Sequence, residues 1–392
     1  MNFILETKKA LPILFAVMFL VMMGFGIIIP VLPFYVEEIG ASPAELGLLM
    51  GVYSFMQLLF APIWGRISDR IGRKPVIMIG ILGLSLSFFL TALSTELWML
   101  FAARIIGGFL SAANMPTVMA YVADITTEED RGKGMGIIGA SIGLGFIFGP
   151  AIGGVFSQTS LSLPFYLAGA SCLFTFFLVM FVLKESLVLQ DRSHSSAKRG
   201  SMLESLKGPV SILFFLQFFI SVSLAGLEAT FAYFAAKKAG LSTTELGYIF
   251  MIMGLAQAIV QGGLIGRLTK RFGDGAVIQL GIVISAVGFG LILLVNNFAT
   301  AAIYLTVFGI GNGLIRPSVS SLLTKKSTTG HGSTTGLLSS FDSLGRIIGP
   351  PLGGWLFTIA IGLPYLTGVL LSFLALCLYQ LYSIKSKRSQ LG

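Results

Sequence analysis

Residues 65–74, GRISDRIGRK, return about 200 residues later as residues 266–275, GRLTKRFGDG. Both copies are polar stretches between long apolar runs, and a similar offset relates other positions along the chain. These pairs are Glu45-Leu46-Gly47 and Glu245-Leu246-Gly247, Gln57 and Gln257, Pro116 and Pro317, residues 149–154 (GPAIGG) and 349–354 (GPPLGG), and Leu163-Pro164 and Leu363-Pro364. A duplicated set of apolar helices places a site at the interface between the copies, where alternating access can operate. The repeat therefore predicts a membrane transporter.

Composition places most of the chain in a lipid bilayer. Hydrophobic residues make up 55% and charged residues 11% of the sequence, and the mean hydropathy is +0.90. A helix that crosses about 30 Å of hydrocarbon needs about 20 apolar residues. Twelve such runs, taken as spans 1 to 12, lie near residues 10–33, 44–64, 75–94, 97–121, 133–156, 163–184, 209–234, 245–265, 276–295, 299–323, 334–357 and 364–383. The sequence predicts an all-α integral membrane fold with twelve transmembrane helices in two pseudo-symmetric six-helix bundles.

The charges on the connectors predict the orientation of the chain. Lys and Arg concentrate on alternate connectors, and the opposite side carries only Lys237 and Lys238. Because positive connectors remain in the cytoplasm, we expect both termini to be cytoplasmic. The longest connector, residues 185–208, is polar and rich in Ser. It is predicted to be a cytoplasmic tether between a first bundle, residues 1–184, and a second, residues 209–392, which ends in a short cytoplasmic tail.

The stretch at residues 65–74 joins spans 2 and 3. Gly65 and Gly72 permit a tight turn at the membrane surface, and the cations, Arg70 among them, can face anionic headgroups. Asp69 is a carboxylate in this basic loop, and it can accept hydrogen bonds from the free N–H groups at the start of a neighbouring helix. A basic loop that only fixes the topology would not need Asp69.

This stretch resembles motif A of the major facilitator superfamily. The resemblance implies that Asp69 braces the cytoplasmic start of span 11 and that Arg73 pairs with Asp124 at the cytoplasmic end of span 4. Such contacts hold the outward-open state and break on inward opening. We define the motif A latch as Gly65, Asp69, Arg70, Gly72, Arg73 and Asp124. The second copy has Lys270 in place of Asp69 and Asp274 in place of Arg73, so the latch is expected in the first half alone.

Span 5 carries Gly145, Gly149, Pro150, Gly153 and Gly154. Small residues at four-residue spacing let helices approach closely, and a proline bends the span. The pattern resembles motif C, the antiporter signature of drug:proton exporters in the same superfamily, which implies an interface that seals the path when the protein faces inward. Ordinary tight packing is the alternative, because span 11 repeats the core of the pattern.

Span 4 carries an ionisable residue inside the membrane. Leu100, Arg104 and Gly108 resemble motif B of the family. A charge at the centre of a span costs roughly 2.5–3.5 kcal/mol on insertion scales, which makes Arg104 a functional candidate. It either tunes a proton site or is a packing bracket satisfied by backbone carbonyls.

Span 1 offers no proton carrier of its own. Residues 30–33, PVLP, resemble a motif of the twelve-span drug exporters, and no Asp, Glu, His, Lys or Arg lies between Lys9 and Glu37. The proton is therefore expected to be handled elsewhere.

Two carboxyl groups lie well inside the spans, Glu228 in span 7 and Asp342 in span 11. Burial disfavours a carboxylate, so Glu228 can hold a proton at rest and exchange it on opening, or face a cationic substrate directly. The quinolone and multidrug pumps that the chain resembles carry an acid at this place. Asp342 is either a proton site or part of a structural ion pair with Arg346, one helical turn on, or with Arg316 in span 10. Gly313 stands where many of these relatives carry a second acid, so their two-carboxylate scheme would need Asp342 as a substitute.

Aromatic and thioether side chains suit a broad cavity for planar cations. Residues next to the span 1 motif and Glu228 are predicted to line it. The predicted substrate-binding residues are Glu228, Met23, Phe231, Tyr233, Phe234 and Arg316.

The sequence has no Walker loop, metal-ligand cluster or nucleophile triad, so we expect no enzymatic activity, no cofactor and no metal. The resemblance implies a proton-coupled antiporter that exports lipophilic, often cationic drugs across a bacterial plasma membrane. Its partners would be small-molecule substrates, protons and lipid, without nucleic acid, and it would work as a monomer. One alternative is an exporter of a single metabolite or drug class, such as a sugar, a polyamine, a lipid precursor or tetracycline. Another is a membrane receptor or scaffold that does not transport.

Overall fold

The computed structural model describes residues 2–186, 210–326 and 331–391, with the side chains of residues 10–186, 210–326 and 334–386. Every regular element in these ranges is a helix. The predicted all-α fold is confirmed. Most of the predicted tether, residues 187–208, lies outside the described residues.

Eight helices belong to the first half of the sequence and six to the second. The first eight are α1 (Asn2–Ile28), α2 (Leu32–Glu38), α3 (Pro43–Ile71), α4 (Arg73–Ala92), α5 (Leu97–Ser111), α6 (Asn114–Ile125), α7 (Arg131–Phe156) and α8 (Leu163–Val182). The other six are α9 (Ser211–Ala239), α10 (Thr243–Ile259), α11 (Ile265–Ile292), α12 (Phe298–Lys326), α13 (His331–Ile359) and α14 (Leu363–Leu391). A π-helical turn, Val260–Leu264, joins α10 to α11.

Each predicted apolar run coincides with one or two of these helices. Ten described stretches are long and apolar enough to cross a bilayer, and one of them, Thr243–Ile292, contains both span 8 and span 9. Span 4 is divided between α5 and α6, and α13 covers span 11. The helices therefore follow the twelve runs predicted from hydropathy.

Two glycines at equivalent positions end spans 2 and 8. Gly72 separates α3 from α4 with a φ of 114°, and Gly273 breaks α11 with a φ of 79°. A residue with a side chain rarely adopts such a φ, whereas glycine does so without steric cost. The turn within each copy of the quoted stretch therefore depends on glycine.

The chain forms two compact units. The first comprises Met1–Ala41, Val52–Ser193 and Ser242–Met251, and the second comprises Ser42–Gly51, His194–Leu241 and Ile252–Gly392. The first turns of α3, up to Gly51, thus belong to the second unit, and the first turns of α10, up to Met251, belong to the first. The predicted bundle boundaries at 184 and 209 stay a prediction.

Equivalent helices pack together in the two units. In the first unit α1 packs on α7 and α8, and α4 packs on α5 and α8. In the second unit α9 packs on α13 and α14, and α11 packs on α12 and α14. The sequence repeat is therefore also a repeat of helix packing.

Three glycines of α7 form the contact with α1. A Cβ at Gly145 would lie 2.7 Å from the backbone nitrogen of Met23, and one at Gly149 would lie 2.6 Å from the Met23 carbonyl oxygen. A Cβ at Gly153 would meet the backbone of Ile27. Glycine at these positions lets the two backbones touch, as in other membrane helix pairs.

The second unit repeats this contact between α13 and α9. Gly345 and Gly349 lie against the backbone of Val222, and Gly353 lies against Gly226. Close packing therefore accounts for the glycines of motif C in both copies.

The fourth glycine of each copy serves a second contact. In the first unit, a Cβ at Gly154 would lie 2.6 Å from the carbonyl oxygen of Thr243, at the start of α10. In the second unit, Gly354 lies in the same way against the backbone of Pro43, at the start of α3.

We predict that Gly149→Ala weakens the contact between α1 and α7 by roughly 1–3 kcal/mol, because its methyl group would overlap backbone atoms that cannot move independently. The control is Gly143→Ala on the same helix, where a Cβ meets nothing within 4 Å. The control should be neutral or more stable by up to about 1 kcal/mol, from helix propensity. Thermal unfolding of the purified variants measures both, and equal stability of the two would contradict the packing role.

Candidate functional site

Arg73 is the centre of the contacts made by the quoted stretch. Its Nη1 lies 2.5 Å from Asp69 Oδ1 and 2.8 Å from Ser68 Oγ, and its Nε lies 3.0 Å from Asp124 Oδ2. The Arg73 side chain is 9% exposed. A buried guanidinium with two carboxylates and a hydroxyl has its charge and most of its donors satisfied. The structure thus brings Arg73 and Asp124 together, as the resemblance implies.

Sequence reasoning missed Glu185, which caps the start of α4. Its carboxylate accepts hydrogen bonds from the backbone N–H groups of Arg73, at 2.8 Å, and Lys74, at 3.0 Å. A carboxylate at a helix start satisfies free donors and the positive end of the helix dipole. Glu185 follows span 6 directly, and only its place at the end of an apolar run could have signalled this role.

The other latch residues lie nearer the surface. The Asp69 side chain is 62% exposed, and Arg70 is also exposed. Gly65 is half-buried and Gly72 is buried. The predicted contact between Asp69 and the start of span 11 stays a prediction.

The second unit contains a charge-reversed copy of the Arg73–Asp124 pair. Lys325 Nζ lies 2.6 Å from Asp274 Oδ2, and the Asp274 side chain is buried. Asp274 follows Arg73 by 201 positions, and Lys325 follows Asp124 by the same number. The second unit therefore repeats one contact of the motif A latch with opposite polarity, while Lys270 stands at the position of Asp69. That the latch acts in the first half alone stays a prediction.

Arg104 is buried within the first unit. The residue is 5% exposed, and its Nε and Nη2 have no hydrogen-bond partner among the described residues. Its guanidinium carbon lies 5.8 Å from the centre of the Tyr53 ring, and the Tyr53 hydroxyl lies 2.6 Å from Ser111 Oγ. The ring face offers some cation–π stabilisation. Backbone carbonyls, the packing alternative, do not satisfy these two nitrogen atoms.

The second unit has a cluster of four charged side chains. Asp342 of α13 accepts hydrogen bonds from Arg316 Nη2 at 2.9 Å, Ser221 Oγ at 2.5 Å and Gln217 Nε2 at 3.2 Å. The Arg316 bond occupies Oδ2, and the other two occupy Oδ1. A carboxylate with three donors on its two oxygens is held in one orientation.

Glu228 of α9 has a looser environment. Its Oε2 lies 3.7 Å from Arg346 Nη1, its ion-pair partner among the described residues, and Arg346 Nε lies 3.5 Å from Asp342 Oδ2. The side chains of Glu228 and Arg346 are 21% and 38% exposed. Both distances are too long for a strong hydrogen bond. Of the two carboxyl groups in the cluster, Glu228 is therefore the one free to change partners.

Three residues predicted to line a cavity are packed in the second unit. Phe231, Tyr233 and Phe234 are at most 1% exposed. The Phe234 ring lies 4.6 Å from that of Tyr365, and the Tyr233 ring lies 6.0 Å from that of Phe357. This part of α9 packs against α13 and α14, and the role of the three residues in substrate binding stays a prediction. Met23 is half-buried on α1.

Comparison with known proteins agrees with the fold. The chain matches the family model described as Major Facilitator Superfamily over residues 14–261 and 213–390. It is 33% identical to multidrug resistance protein 2 of Bacillus subtilis, over 92% of each chain. It is 34% identical to multidrug resistance protein 1 of the same organism, over 92% of this chain and 93% of the relative. Quinolone resistance protein NorA of Staphylococcus aureus is 29% identical, over 91% and 92%.

Solved structures share the fold at lower sequence identity. The nucleoside transporter NupG superposes with a TM-score of 0.77 at 15% identity, over 99% of this chain and 100% of that chain. A bacterial homologue of the human lysosomal transporter Spinster gives 0.79 at 17% identity, over 96% of each chain.

We predict that Lys325→Glu lowers the stability of the second unit by roughly 1–2 kcal/mol, because it leaves the buried Asp274 carboxylate beside a second negative charge. The double variant Asp274→Lys/Lys325→Asp should recover most of the loss, since it restores an ion pair with the polarity of the first unit. Thermal unfolding measures the effect, with Lys326→Glu as the control on the neighbouring exposed lysine. The single variants Asp274→Lys and Lys325→Asp complete the cycle. If the double variant loses as much stability as these two single variants lose together, the pair has no coupling energy.

Proposed function

Because the chain belongs to the Major Facilitator Superfamily, we propose that it is a proton-coupled efflux transporter, an antiporter that exports lipophilic drugs by alternating access. The names of its relatives support drug export, since two are multidrug resistance proteins and one is a quinolone resistance protein. A secondary transporter of this kind takes its energy from the proton gradient. The observation that carries the proposal is a loosely paired, partly exposed carboxyl group, Glu228, inside a helix that has no other charged residue before Lys237.

Glu228 is the proposed proton carrier. A group that carries a proton must reach water or a partner in one state and tolerate the neutral form in another. With Arg346 at 3.7 Å and one fifth of its side chain exposed, Glu228 meets the first condition. The apolar residues on either side of Glu228 in α9 meet the second condition, since an apolar environment favours the neutral acid over the anion.

Asp342 and Arg316 are proposed as a fixed ion pair beside this carrier. Three donors hold the Asp342 carboxylate, so its protonation would leave the Arg316 charge uncompensated. This favours the structural alternative for Asp342. Its effect on the proton site would be to keep Arg346 within reach of Glu228.

Arg104 is proposed to act on coupling from the first unit. Two nitrogen atoms of the buried Arg104 guanidinium have no hydrogen-bond partner among the described residues, so the cost of their burial is not offset by hydrogen bonds. Arg104 would therefore favour any state of the transport cycle that supplies an acceptor. Its role would be to bias the cycle, with Glu228 carrying the proton.

The motif A latch is proposed to regulate the conformational change. Arg73 joins α4 to α3 through Asp69 and to α6 through Asp124. Exposed Asp69 is the member free to take a second partner on opening and closing. The glycine contacts of motif C would let helices rock without separating, and would seal the path in the inward-facing state.

The proton gradient supplies enough energy for this work. One charge moving through about 150 mV yields roughly 3.5 kcal/mol, from about 2.3 kcal/mol per 100 mV. At about 1.4 kcal/mol per tenfold, this supports a gradient of a few hundred-fold. We place the protein in a bacterial plasma membrane with both termini in the cytoplasm, working as a monomer.

We predict that Glu228→Gln abolishes drug efflux driven by a proton gradient, because an amide cannot exchange a proton at this position. Efflux of a fluorescent lipophilic cation from inverted vesicles, with and without a proton-gradient collapser, measures the effect. Glu129→Gln, which neutralises an exposed acid, is the control and should behave as the parent. Unimpaired gradient-driven efflux in Glu228→Gln would exclude Glu228 as the carrier.

A second prediction concerns the latch. Asp69→Asn should slow transport several-fold while the affinity for substrate is unchanged, because Arg73 keeps Asp124 but the exposed acceptor at position 69 loses its charge. The rate of efflux and the equilibrium binding of the same dye separate the two effects. Glu128→Gln is the control for loss of an exposed acid, and a normal rate in Asp69→Asn would reject the latch.

A further inference from the structure

The continuous helix formed by α10 and the start of α11 contains one residue more than its counterpart α3. Gln57 and Gly65 are eight positions apart, whereas their counterparts Gln257 and Gly266 are nine apart. The π-helical turn Val260–Leu264 lies in this interval. A π-helical bond encloses one residue more than an α-helical bond, so the turn takes up the extra residue and keeps both flanks in register. Such a turn interrupts the regular helix and is a common cause of kinks.

The turn separates a packed part of this helix from a loose part. Val260 is buried with Val277 and Leu314 in one apolar cluster. After it, no residue from 261 to 273 is buried, and the next buried residue is Asp274, which is held in the ion pair described above. A segment with few buried contacts opens at a low free energy. The helix is therefore fixed on both sides of a stretch that is itself weakly held.

Glycine lies at both ends of this stretch. Gly262 and Gly263 belong to the π-helical turn, and a Cβ at either position would meet nothing within 4 Å. Gly273, at the other end, has a φ of 79°. We define residues 265–272, between these glycines, as the basic arm. Leu268 of the arm packs against the apolar cluster at the turn. With glycine at both ends, the arm can adjust its position relative to the rest of the second unit.

The corresponding part of α3 is held more firmly. Trp64 is buried and donates a hydrogen bond from Nε1 to the carbonyl oxygen of Phe109 at 2.8 Å, and Ser68 is also buried. Asp69 binds Arg73, as described above. The two copies of the quoted stretch therefore differ in how tightly they are packed as well as in charge.

The basic arm has three exposed cations, Arg267, Lys270 and Arg271. Their spacing of three and four residues makes them neighbours on the helix surface. None of the three belongs to an ion pair among the described residues, and the sequence has no Asp or Glu between Glu245 and Asp274. The arm therefore presents a positive charge that no neighbouring acid compensates.

Exposed apolar side chains flank these cations. Leu264, just before the arm, is 44% exposed, and Phe272, at its end, is 57% exposed. The guanidinium carbon of Arg271 lies 5.3 Å from the centre of the Phe272 ring. Cations next to apolar side chains suit the boundary between anionic headgroups and acyl chains. A free phosphate ion would contact the cations alone, so the apolar side chains favour a lipid as the partner.

We propose that the basic arm binds the headgroup of a phospholipid with net negative charge, with Leu264 and Phe272 against its acyl chains. The glycines at its ends let the arm fit the membrane surface. The lipid would hold this arm in place, as protein contacts hold the corresponding part of α3. The inference rests on the proposed function only for the side of the membrane, the cytoplasmic one.

The test places a nitroxide spin label on the arm through Gly266→Cys, where a Cβ meets nothing within 4 Å. The native Cys172 and Cys377 are first replaced by Ala. The full-length protein is reconstituted in vesicles of phosphatidylcholine, or of an equal mixture of phosphatidylcholine and phosphatidylglycerol. The electron spin resonance line shape should show a label that rotates several-fold more slowly in the mixture, because the bound anionic lipid restrains the arm.

Removal of the charges provides the second measurement. Arg267→Gln/Lys270→Gln/Arg271→Gln should abolish the difference between the two kinds of vesicle. Native mass spectrometry should show a loss of affinity for phosphatidylglycerol of roughly tenfold or more in this variant, since each cation near an anionic surface contributes roughly fivefold. The control, Arg131→Gln/Lys133→Gln, removes exposed cations at the start of α7 and should keep the difference.

Three results would overturn the proposal. One is a label that rotates at the same rate in both kinds of vesicle, which requires no charge variant to fold. Another is a lipid effect that survives in full when the three cations of the arm are removed. The last is an equal loss in the control variant, which would indicate an effect of total surface charge.

The same vesicles separate the lipid site from the proposed function. Phosphatidylglycerol is present in both leaflets, so the label reports lipid binding whether or not the protein transports and whichever way it is oriented. A lipid effect without proton-driven efflux would leave the lipid site and reject the exporter. Proton-driven efflux without a lipid effect on the label would leave the exporter and reject the lipid site.

Discussion

A charge enclosed by apolar helices needs a counter-charge, and the site depends on how this need is met. The charged cluster of the second unit holds two acids and two arginines, and one of the pairs, Arg316–Asp342, has short bonds and extra donors. The other, Glu228–Arg346, has neither. A tightly held pair is costly to break, because each partner would be left as a buried charge. In the proposed function, exchange of partners would therefore take place at Glu228 and Arg346, while the Arg316–Asp342 pair stays intact.

Duplication has preserved packing and allowed charge to diverge. Three glycines of α7 and three of α13 sit at matching positions and bring the same pairs of helices into backbone contact. Backbone contact tolerates no side chain, so both copies retain glycine. An ion pair tolerates reversal, because its energy depends on the product of the charges. Arg73–Asp124 and Asp274–Lys325 are accordingly the same contact with opposite polarity. Among the described residues, of these two pairs only Arg73–Asp124 has a further acid, Asp69, within salt-bridge distance. The two copies of the contact therefore differ in the partners available to them.

Hydropathy and the internal repeat were sufficient to predict the long helices, because twelve apolar runs and the polar connectors between them mark where those helices begin and end. The short helix α2 and the division of span 4 between α5 and α6 were not predicted. The site was predictable only in part. Glu228 and Asp342 stand out as rare carboxylates in apolar runs, and a family motif pointed to Arg73. The packing of Phe231, Tyr233 and Phe234 could not be predicted, since the hydrophobic residues of α9 follow no periodicity that identifies its enclosed face. Glu185 was missed because a cap depends on how the chain returns to α4, which local sequence does not specify.

The geometry of the acceptors decides between the two acids. Both lie in apolar helices, so burial by itself would treat them alike, and the sequence left Asp342 open as a proton site or an ion-pair partner. Asp342 has three hydrogen bonds on its two oxygens, and each would have to be lost or rearranged for a proton to bind there. Glu228 has one contact at 3.7 Å. The acid with fewer hydrogen bonds has fewer contacts to lose when a proton binds, which supports Glu228 as the proposed carrier. Gly313, which stands where many relatives carry a second acid, is consistent with a single proton-carrying carboxyl in this unit, with Asp342 holding the arginines in place around it.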